Sequence, residues 1–418
     1  MSACPAAAGL PGGQRVLVIG AGLAGLRVAE GLQTGGFMGT VTLIGDEPHP
    51  PYNRPPLSKS ALSEGVNARQ LAFKRRVDAN TDHRFGTRVV SVDLSTRLAA
   101  LATGEVLDFD ILVTTSGVTP RRTVTKNSTT GAPLNRALAF KTIDDLVALR
   151  SLLRPQGNVV IVGSGFVGCE LASSLSALGQ RVTLLARREA PMAKSIGQQL
   201  AGRIRAKIDE RGIDYRVGTG ISTVTEQGGI ARVMLGCGTE IMADVVVDAI
   251  GSAPALGYLD GNGLDLSDGL LTDTSMRVAG TDNMFAAGDV ARLALPHVPG
   301  PPRRFEHWTA AVDTAKLVVS SILQRDTRPP RPFMPAAWSD QFGHRIQAFG
   351  VRLSDAIEVD LTANSFTEHE FPGAFITGFV SDGVLTGVCA LSPSGRPSPA
   401  MAWRPRLFSD CDFLDPVA

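Results

Sequence analysis

The 418-residue sequence contains few cysteines, and they show no paired spacing. Cys4, Cys169, Cys237, Cys389 and Cys411 are odd in number and never form CxxC or CxxxxC. This distribution argues against a disulfide framework, a zinc site or a redox disulfide, and it favours a reducing cytoplasm. The six histidines are also dispersed without metal-ligand spacing, so no metal site is predicted.

The sequence also lacks an excess of charge of one sign and a long hydrophobic run. Its 41 Lys and Arg residues against 40 Asp and Glu residues give a net charge of +1. Such a balance provides no global field for nucleic acid or an anionic membrane. No stretch approaches the ~18 apolar residues of a membrane span, and residues 1–13 lack the basic start of a signal peptide. We therefore expect a protein of two or three domains without membrane association, preceded by a loose N-terminal tail.

Glycine, by contrast, occurs in a regular pattern near the start of the chain. Residues 15–47 read RVLVIGAGLAGLRVAEGLQTGGFMGTVTLIGDE, an apolar strand, a GxGxxG turn, a helix and a second strand ending in two acids. The glycines allow a tight turn, a close pyrophosphate and close packing, while the helix N-terminus faces the phosphates. The acids suit a ribose hydroxyl. The residues predicted to bind this dinucleotide are Gly20, Gly22, Leu23, Ala24, Gly25, Asp46 and Glu47.

A second copy of the same unit spans residues 158–189, NVVIVGSGFVGCELASSLSALGQRVTLLARRE. Two complete units imply two dinucleotide sites, which favours a flavin and a nicotinamide coenzyme in one enzyme. The residues of the second fingerprint are Gly163, Gly165, Phe166, Val167 and Gly168.

Each unit is followed by a further strand and a glycine turn. These are DILVTTSGVTPR at 110–121 and DVVVDAIGSAPA at 244–255, so the chain looks internally duplicated. A later short strand, MFAAGDV, leads to Gly288 and Asp289. Alone, Gly-Asp is simply a turn and a helix cap. After two nucleotide units, we interpret it as part of a site.

The second unit ends in the opposite charge from the first. Its last strand closes with Ala186, Arg187 and Arg188 where a carboxylate would ordinarily read a ribose hydroxyl. A carboxylate would repel the 2′-phosphate of NADPH, whereas two guanidinium groups could bind it. The alternative is that exposed arginines merely close the strand. The pattern favours NADPH over NADH.

The segment DEPHPPYNRPPLSK at 46–59 resembles the PYxRPPLSK signature of flavin-dependent ferredoxin reductases. These enzymes serve bacterial cytochrome P-450 and ring-hydroxylating dioxygenase systems and are a branch of the pyridine nucleotide-disulfide oxidoreductase superfamily without the redox disulfide. The resemblance extends from about Arg15 to about Gly350. Ser116, within TSGVTPR, and Ala337, before Trp338, depart from the usual pattern. Further matching segments are TSGVTPR, GSGFVGCE, AAGDV, EHWTAA and WSDQFGHRIQAFG.

The resemblance implies an α/β fold with two Rossmann-like dinucleotide-binding domains, as in glutathione reductase, plus a C-terminal α+β domain. It places the FAD domain at 14–120 and 251–327, the NAD(P) domain at 121–250 and the C-terminal domain at 328–418, after a flexible tail at 1–13. The segment QRDTRPPRPFMP at 324–335 is rich in proline and charge, as expected of a junction.

The resemblance also implies catalytic roles for four residues. Lys59 would lie near the flavin ring and stabilise the negative charge of its reduced form. Glu170 would orient the nicotinamide and pair with Lys59, while Trp308 and Trp338 would flank the two rings. Taken without the family, the lysine could simply be solvated, the glutamate could answer the helix dipole, and the tryptophans could be buried apolar surface.

Further cofactor contacts follow from the same resemblance. Arg54 and Arg121 match positions that contact FAD phosphates or ribose, Asp289 matches the acid on the ribityl chain, and His307 is expected near the flavin. The remaining residues predicted to bind cofactor are Ser116, Gly117, Gly251 and Gly288.

The implied reaction passes a hydride from NADPH, with NADH as the alternative donor, to FAD and then single electrons to an external acidic iron–sulfur ferredoxin. Lys74, Arg75 and Arg76 form a candidate docking patch, although a solvated charged surface explains them equally well. The oligomeric state is left open between monomer and homodimer. Alternative functions are a reductase of quinone, rubredoxin, oxygen or a small molecule, and an interaction protein gated by redox state, similar to apoptosis-inducing factor.

Overall fold

The computed structural model describes residues 13–74, 81–123, 127–295, 298, 300–324, 333–362 and 371–408. The chain forms two compact units. The first comprises the described residues within Met1–Asn53, Leu71–Thr119 and Pro254–Phe333, and the second those within Arg54–Gln70, Pro120–Ala253 and Met334–Ala418. The segment 54–70, which contains Lys59, thus belongs to the second unit.

A five-stranded parallel sheet forms the centre of the first unit. Four of its strands are apolar and mostly buried, as expected where both faces are covered, whereas the edge strand Thr81–Phe85 is polar and only partly buried. The order of the strands across the sheet is Met284–Ala286, Ile111–Thr114, Arg15–Ile19, Thr40–Gly45 and Thr81–Phe85.

Two helices of the first unit pack closely against each other. Helix Leu23–Thr34 connects the first two strands of the chain, and helix Trp308–Ile322 lies against it. A Cβ atom on Gly31 would approach Val319 Cγ2 to 2.7 Å, so the two helices meet at a position without a side chain. This contact places their N-termini in one unit.

Smaller elements complete the first unit. They are two antiparallel or mixed three-stranded sheets and two 3₁₀ turns. Their bounds are Val89–Asp93, Leu98–Leu101 and Val106–Asp108; Leu270–Thr272, Ala291–Leu293 and Arg303–Arg304; and Gly257–Leu259 and Gly288–Val290. Three short elements include residues of both units: Ala68–Leu71, Val118–Pro120 and Ser252–Pro254.

The second unit contains another five-stranded parallel sheet. Its order is Asp214–Val217, Arg181–Ala186, Asn158–Val162, Val245–Asp248 and Ala137–Ala139. A three-stranded antiparallel sheet covers one face of it through an apolar cluster that includes Val160, Val162 and Val233. The covering strands are Ile221–Gln227, Ile230–Leu235 and Glu240–Ala243. The helices are Ser60–Glu64, Ile143–Leu152, Phe166–Ala177, Ala193–Ile196 and Gln198–Glu210.

Residues 334–408 add a five-stranded antiparallel sheet to the second unit. Its order is Ala336–Gln341, His344–Gly350, Val384–Pro393, Phe375–Ser381 and Ile357–Asp360. A short helix, Ala400–Trp403, and a 3₁₀ turn, Arg404–Arg406, follow. The predicted α/β class with two Rossmann-like sheets is confirmed. Among the described helices, none has the length and apolarity that crossing a bilayer requires.

Candidate functional site

The glycine turn of the first unit is closely packed at Gly25 and faces open space at Gly22. A Cβ atom on Gly25 would overlap the carbonyl oxygen of Gly20 and lie 2.8 Å from Thr115 Oγ1. A Cβ on Gly22, in contrast, would meet nothing within 4 Å. The N-terminal turn of helix Leu23–Thr34 is therefore accessible to a phosphate group, as FAD requires.

A second helix N-terminus reaches the same place. A Cβ atom on Gly288 would lie 3.1 Å from Ala24 Cβ and 3.9 Å from Ala311 Cβ, so the first turns of helices Leu23–Thr34 and Trp308–Ile322 both approach it. Each N-terminus carries about half a positive charge. Together they fit a pyrophosphate bearing two negative charges.

The two acids after strand Thr40–Gly45 differ in their surroundings. Asp46 is exposed and lies 3.7 Å from Arg88 Nη2, whereas Glu47 is half-buried and accepts a hydrogen bond from the Tyr52 hydroxyl at 2.6 Å. Both remain acceptors at the end of the second strand, where a ribose hydroxyl is bound in dinucleotide sites.

Ser116 is part of a hydrogen-bonded turn. Its hydroxyl donates to the Ala255 carbonyl oxygen at 2.8 Å and lies 3.3 Å from the hydroxyl of Tyr258. Burial raises the pKa of Tyr258 to about 12, while its hydrogen bonds to Ser116 and Thr114 act in the opposite direction. Tyr258 could not be predicted from the sequence, because it lies outside the motifs.

His307 directly precedes the helix that begins at Trp308. Burial lowers the pKa of His307 below its ordinary value, although the negative charge of Glu306 acts in the opposite direction. Trp308 and Asp289 are both half-buried. Arg304 donates to the Asp289 carbonyl oxygen at 2.9 Å and forms ion pairs with Asp268 and Glu306, each at 2.8 Å.

The second unit repeats the construction of the first. A Cβ atom on Gly168 would overlap the Gly163 carbonyl oxygen, and a Cβ on Gly165 would meet nothing within 4 Å. Strand Asn158–Val162 pairs with Arg181–Ala186 on one side and Val245–Asp248 on the other. The glycine turn therefore lies where the strand order reverses, the usual place for a dinucleotide.

The second site ends in a cationic loop. Ala186 is 4% exposed, while Arg187 and Arg188 are exposed. The Arg188 carbonyl oxygen accepts a hydrogen bond from the Tyr215 hydroxyl at 2.8 Å. The guanidinium of Arg205 stacks over the Tyr215 ring at 4.2 Å. The loop is thus held at its backbone while the two arginine side chains face solvent.

Lys59 and Glu170, far apart in sequence, meet in the second unit. Lys59 Nζ lies 2.7 Å from Glu170 Oε2 and donates to the Pro55 carbonyl oxygen at 3.1 Å. Glu170 is in the helix that follows the second fingerprint and is 6% exposed. The hydroxyls of Ser58 and Ser339, neither of which was predicted as a site residue, each donate to its carboxylate at 2.5 Å.

The remaining predicted residues differ in their contacts and in their exposure to solvent. Arg54 donates to the Lys141 carbonyl oxygen at 3.2 Å, and Arg121 donates from Nε to Ser252 at 2.9 Å. Trp338 is half-buried in its strand, and Lys74 is exposed. Arg75 and Arg76 lie outside the described residues. In the first unit are Gly20, Gly22, Leu23, Ala24, Gly25, Asp46, Glu47, Ser116, Gly117, Gly288, Asp289, His307 and Trp308. In the second are Arg54, Lys59, Arg121, Gly163, Gly165, Phe166, Val167, Gly168, Glu170, Arg187, Arg188, Gly251 and Trp338.

Two parallel sheets, each with a glycine turn open to a phosphate group, form the arrangement expected of a protein with two dinucleotide sites. Residues 14–315 match the family model described as pyridine nucleotide-disulphide oxidoreductase. The chain belongs to this family, and the resemblance seen in the sequence is confirmed.

The chain is similar to known ferredoxin and rubredoxin reductases over most of their length. A ferredoxin–NAD(P)+ reductase of a Sphingomonas species is 33% identical, with 80% of this chain and 81% of the relative covered. A rubredoxin–NAD(+) reductase of Pseudomonas putida is 29% identical, with 84% and 90% covered. The crystal structure of the ferredoxin reductase for the CYP199A2 system from Rhodopseudomonas palustris has a TM-score of 0.81, 27% identity and coverage of 90% and 91%.

Proposed function

We propose that the protein is an FAD-dependent NAD(P)H:ferredoxin oxidoreductase that supplies electrons to a cytochrome P-450 or another oxygenase. The observation that carries the proposal is the ion pair of Lys59 and Glu170 beside the second glycine fingerprint. The pair joins the PYNRPPLSK signature to the coenzyme-binding helix. Relatives with the names ferredoxin–NAD(P)+ reductase and ferredoxin reductase support the same activity.

FAD is assigned to the first unit. The open face at Gly22, the two helix N-termini beside Gly288 and the acids Asp46 and Glu47 fit its pyrophosphate and adenosine ribose. When bound, FAD accepts a hydride from the nicotinamide coenzyme and passes on the two electrons one at a time to two one-electron acceptors. The proposed domain limits are 14–120 with 251–327 for FAD, 121–250 for the coenzyme and 328–418 for the C-terminal domain.

The chain itself supplies binding, orientation and electrostatics. Glu170 and the Pro55 carbonyl oxygen hold the Lys59 ammonium, whose side chain is only 20% exposed. A cation fixed in a poorly hydrated position stabilises developing negative charge more than a solvated one, because water does not screen it. We assign Lys59 to the reacting end of the flavin and Glu170 to the nicotinamide.

We further assign NADPH as the preferred donor. The end of strand Arg181–Ala186 carries no carboxylate that would repel a 2′-phosphate, and Arg187 and Arg188 offer exposed guanidinium groups. The hydrogen bond from Tyr215 to the Arg188 carbonyl oxygen fixes the backbone of this loop. A fixed backbone lowers the entropy lost when the arginines bind a phosphate.

A panel of acceptors tests the proposed function. Steady-state reduction of acidic ferredoxins, rubredoxin, cytochrome c and quinones is measured with NADPH and with NADH. The expected result is rapid reduction of a ferredoxin and slow reduction of oxygen. A flavoprotein that forms a long-lived charge-transfer complex with little turnover would instead indicate an interaction protein gated by redox state.

A second candidate acceptor is rubredoxin, because the Pseudomonas putida relative carries that acceptor in its name. Turnover with rubredoxin that exceeds turnover with every ferredoxin in the panel would replace the ferredoxin assignment. The donor half of the proposal would be unaffected, since the same coenzyme site serves either acceptor.

A further inference from the structure

A buried hydrogen-bond network surrounds the carboxylate of Glu170. Its Oε2 accepts from the Ser58 hydroxyl at 2.5 Å and from Lys59 Nζ at 2.7 Å, and its Oε1 accepts from the Ser339 hydroxyl at 2.5 Å. An ionised carboxylate offers about four acceptor positions. Among the described residues these are the donors to Glu170, and they leave about one position for a donor from a bound molecule.

Ser339 reaches Glu170 from a distant part of the chain. It lies in strand Ala336–Gln341 of the C-terminal sheet, 169 residues from Glu170, and is 0% exposed. A hydroxyl is buried at a cost unless it is hydrogen-bonded, and a bond to an ionised acceptor is the stronger kind.

Gln341 determines which way the Ser339 hydroxyl points. Gln341 Nε2 donates to Ser339 Oγ at 3.2 Å and lies 3.6 Å from Met192 Sδ. Because an amide nitrogen only donates, Ser339 accepts from Gln341 and keeps its own proton for Glu170. Such chains of hydrogen bonds strengthen one another.

We propose that Ser339 is a positioning residue that fixes the carboxylate of Glu170, so that its free acceptor position binds the carboxamide N–H of the nicotinamide ring in one orientation. The inference rests on the proposed function. The last torsion of a glutamate side chain is broad, so a carboxylate held on one oxygen alone could rotate. With Oε2 held by Lys59 and Ser58 and Oε1 by Ser339, it cannot.

Ser339→Ala tests this assignment. We expect the rate constant of flavin reduction at saturating NADPH to fall by about tenfold, because misorientation of a hydride donor is costly. KM for NADPH and the Kd of NADP+, the latter measured by equilibrium titration, should change by less than about threefold, because the adenosine half binds elsewhere. A larger deuterium isotope effect with 4-deuterated NADPH should accompany the slower reduction. Ser339→Thr, which keeps the hydroxyl, should restore the rate.

Ser392→Ala is the matched control. Ser392 is also a fully buried serine of the C-terminal sheet, but its hydroxyl has no hydrogen-bond partner among the described residues. In the Ser392→Ala variant, NADPH should reduce the flavin at the wild-type rate. Equal rates for Ser339→Ala and Ser392→Ala would overturn the positioning role.

Two further results separate the possible failures. If Ser339→Ala does not fold or retain FAD, Gln341→Met removes the donor to Ser339 while keeping the hydroxyl, and an unchanged reduction rate in that variant overturns the proposal. If neither coenzyme reduces the flavin of the wild-type protein, the proposed function fails and the role of Ser339 fails with it. If NADPH reduces the flavin of the wild-type protein rapidly, the rates of the variants test the role of Ser339 alone.

Discussion

At the end of strand Arg181–Ala186, two adjacent arginines are the basis of the proposed preference for NADPH. We expect Arg187→Glu combined with Arg188→Gln to lower kcat/KM for NADPH much more than for NADH. A charge-assisted hydrogen bond contributes about 1.5–3 kcal/mol before solvent exposure reduces it, so the ratio of the two values should change by about 10-fold or more. Steady-state kinetics with both coenzymes measure the ratio.

Arg211→Gln provides the control for this pair. Arg211 is an exposed arginine at the C-terminal end of helix Gln198–Glu210 and should leave the ratio unchanged. If the double variant lowers kcat/KM for NADPH and for NADH by the same factor, the arginines do not bind the 2′-phosphate.

Single residues could be predicted from the sequence where a motif fixed their spacing. The glycines of both fingerprints and the acids Asp46 and Glu47 follow from local pattern, because strand, turn and helix are consecutive. Tyr215 and Ser339 could not be predicted, because their contacts join parts of the chain that are distant in sequence. Ser339 meets Glu170 across 169 residues, and no local pattern encodes such a pairing.

At the scale of elements, helix Gln198–Glu210 depends on a residue from another sheet. Its N-cap is Gly197, which offers no side chain. Glu358 of strand Ile357–Asp360 instead accepts from the backbone N–H groups of Gln198 at 2.7 Å and Gln199 at 3.1 Å. A carboxylate here also compensates the positive end of the helix dipole.

We expect Glu358→Ala to lower the free energy of unfolding by about 1–3 kcal/mol, since a lost cap and a lost charged acceptor both contribute. Urea denaturation of the FAD-bound protein measures the change. Glu240→Ala is the control, because that exposed carboxylate meets only Arg232, at 3.5 Å, among the described partners. Equal stability of the two variants would show that the helix does not need Glu358.

Elements of the C-terminal sheet were harder to predict than those of the Rossmann-like sheets. A glycine turn between two apolar strands identifies a parallel unit, because the motif includes the strands on both sides. The order of five antiparallel strands has no comparable marker, and Ile357–Asp360 pairs with Phe375–Ser381 only through tertiary contacts. The family resemblance therefore implied a C-terminal α+β domain, but the sequence did not predict the order of its antiparallel strands.

At the scale of the whole molecule, duplication is visible in the strand orders. In both parallel sheets the fingerprint strand is central and its strand partner after the helix lies beside it. The fifth strand breaks the symmetry. The first sheet takes Met284–Ala286 from late in the chain, whereas the second takes Ala137–Ala139 from before its own fingerprint. Strands of three residues carry too little pattern for the sequence to assign them to a sheet.

The surface that docks the electron acceptor is also a property of the whole molecule. A reductase that serves an acidic ferredoxin needs a cationic surface, and residues 73–76 read FKRR. Lys74 is exposed, whereas Arg75 and Arg76 lie outside the described residues. We expect Arg75→Glu with Arg76→Glu to lower kcat/KM for ferredoxin by about tenfold or more at low salt, with a smaller loss at high salt because ions screen the attraction. Reduction of ferricyanide by NADPH should be unaffected, because a small acceptor needs no docking surface.

Arg211→Glu with Lys316→Glu changes the net charge by the same amount at two exposed positions elsewhere. If this control weakens ferredoxin reduction as much as the variant at 75 and 76, net charge alone is responsible and the patch has no special role. Equal loss of ferredoxin and ferricyanide reduction in the variant at 75 and 76 would point to damage at the flavin instead. Only a loss that is confined to ferredoxin reduction, and that is absent in the control, places the docking surface at Arg75 and Arg76.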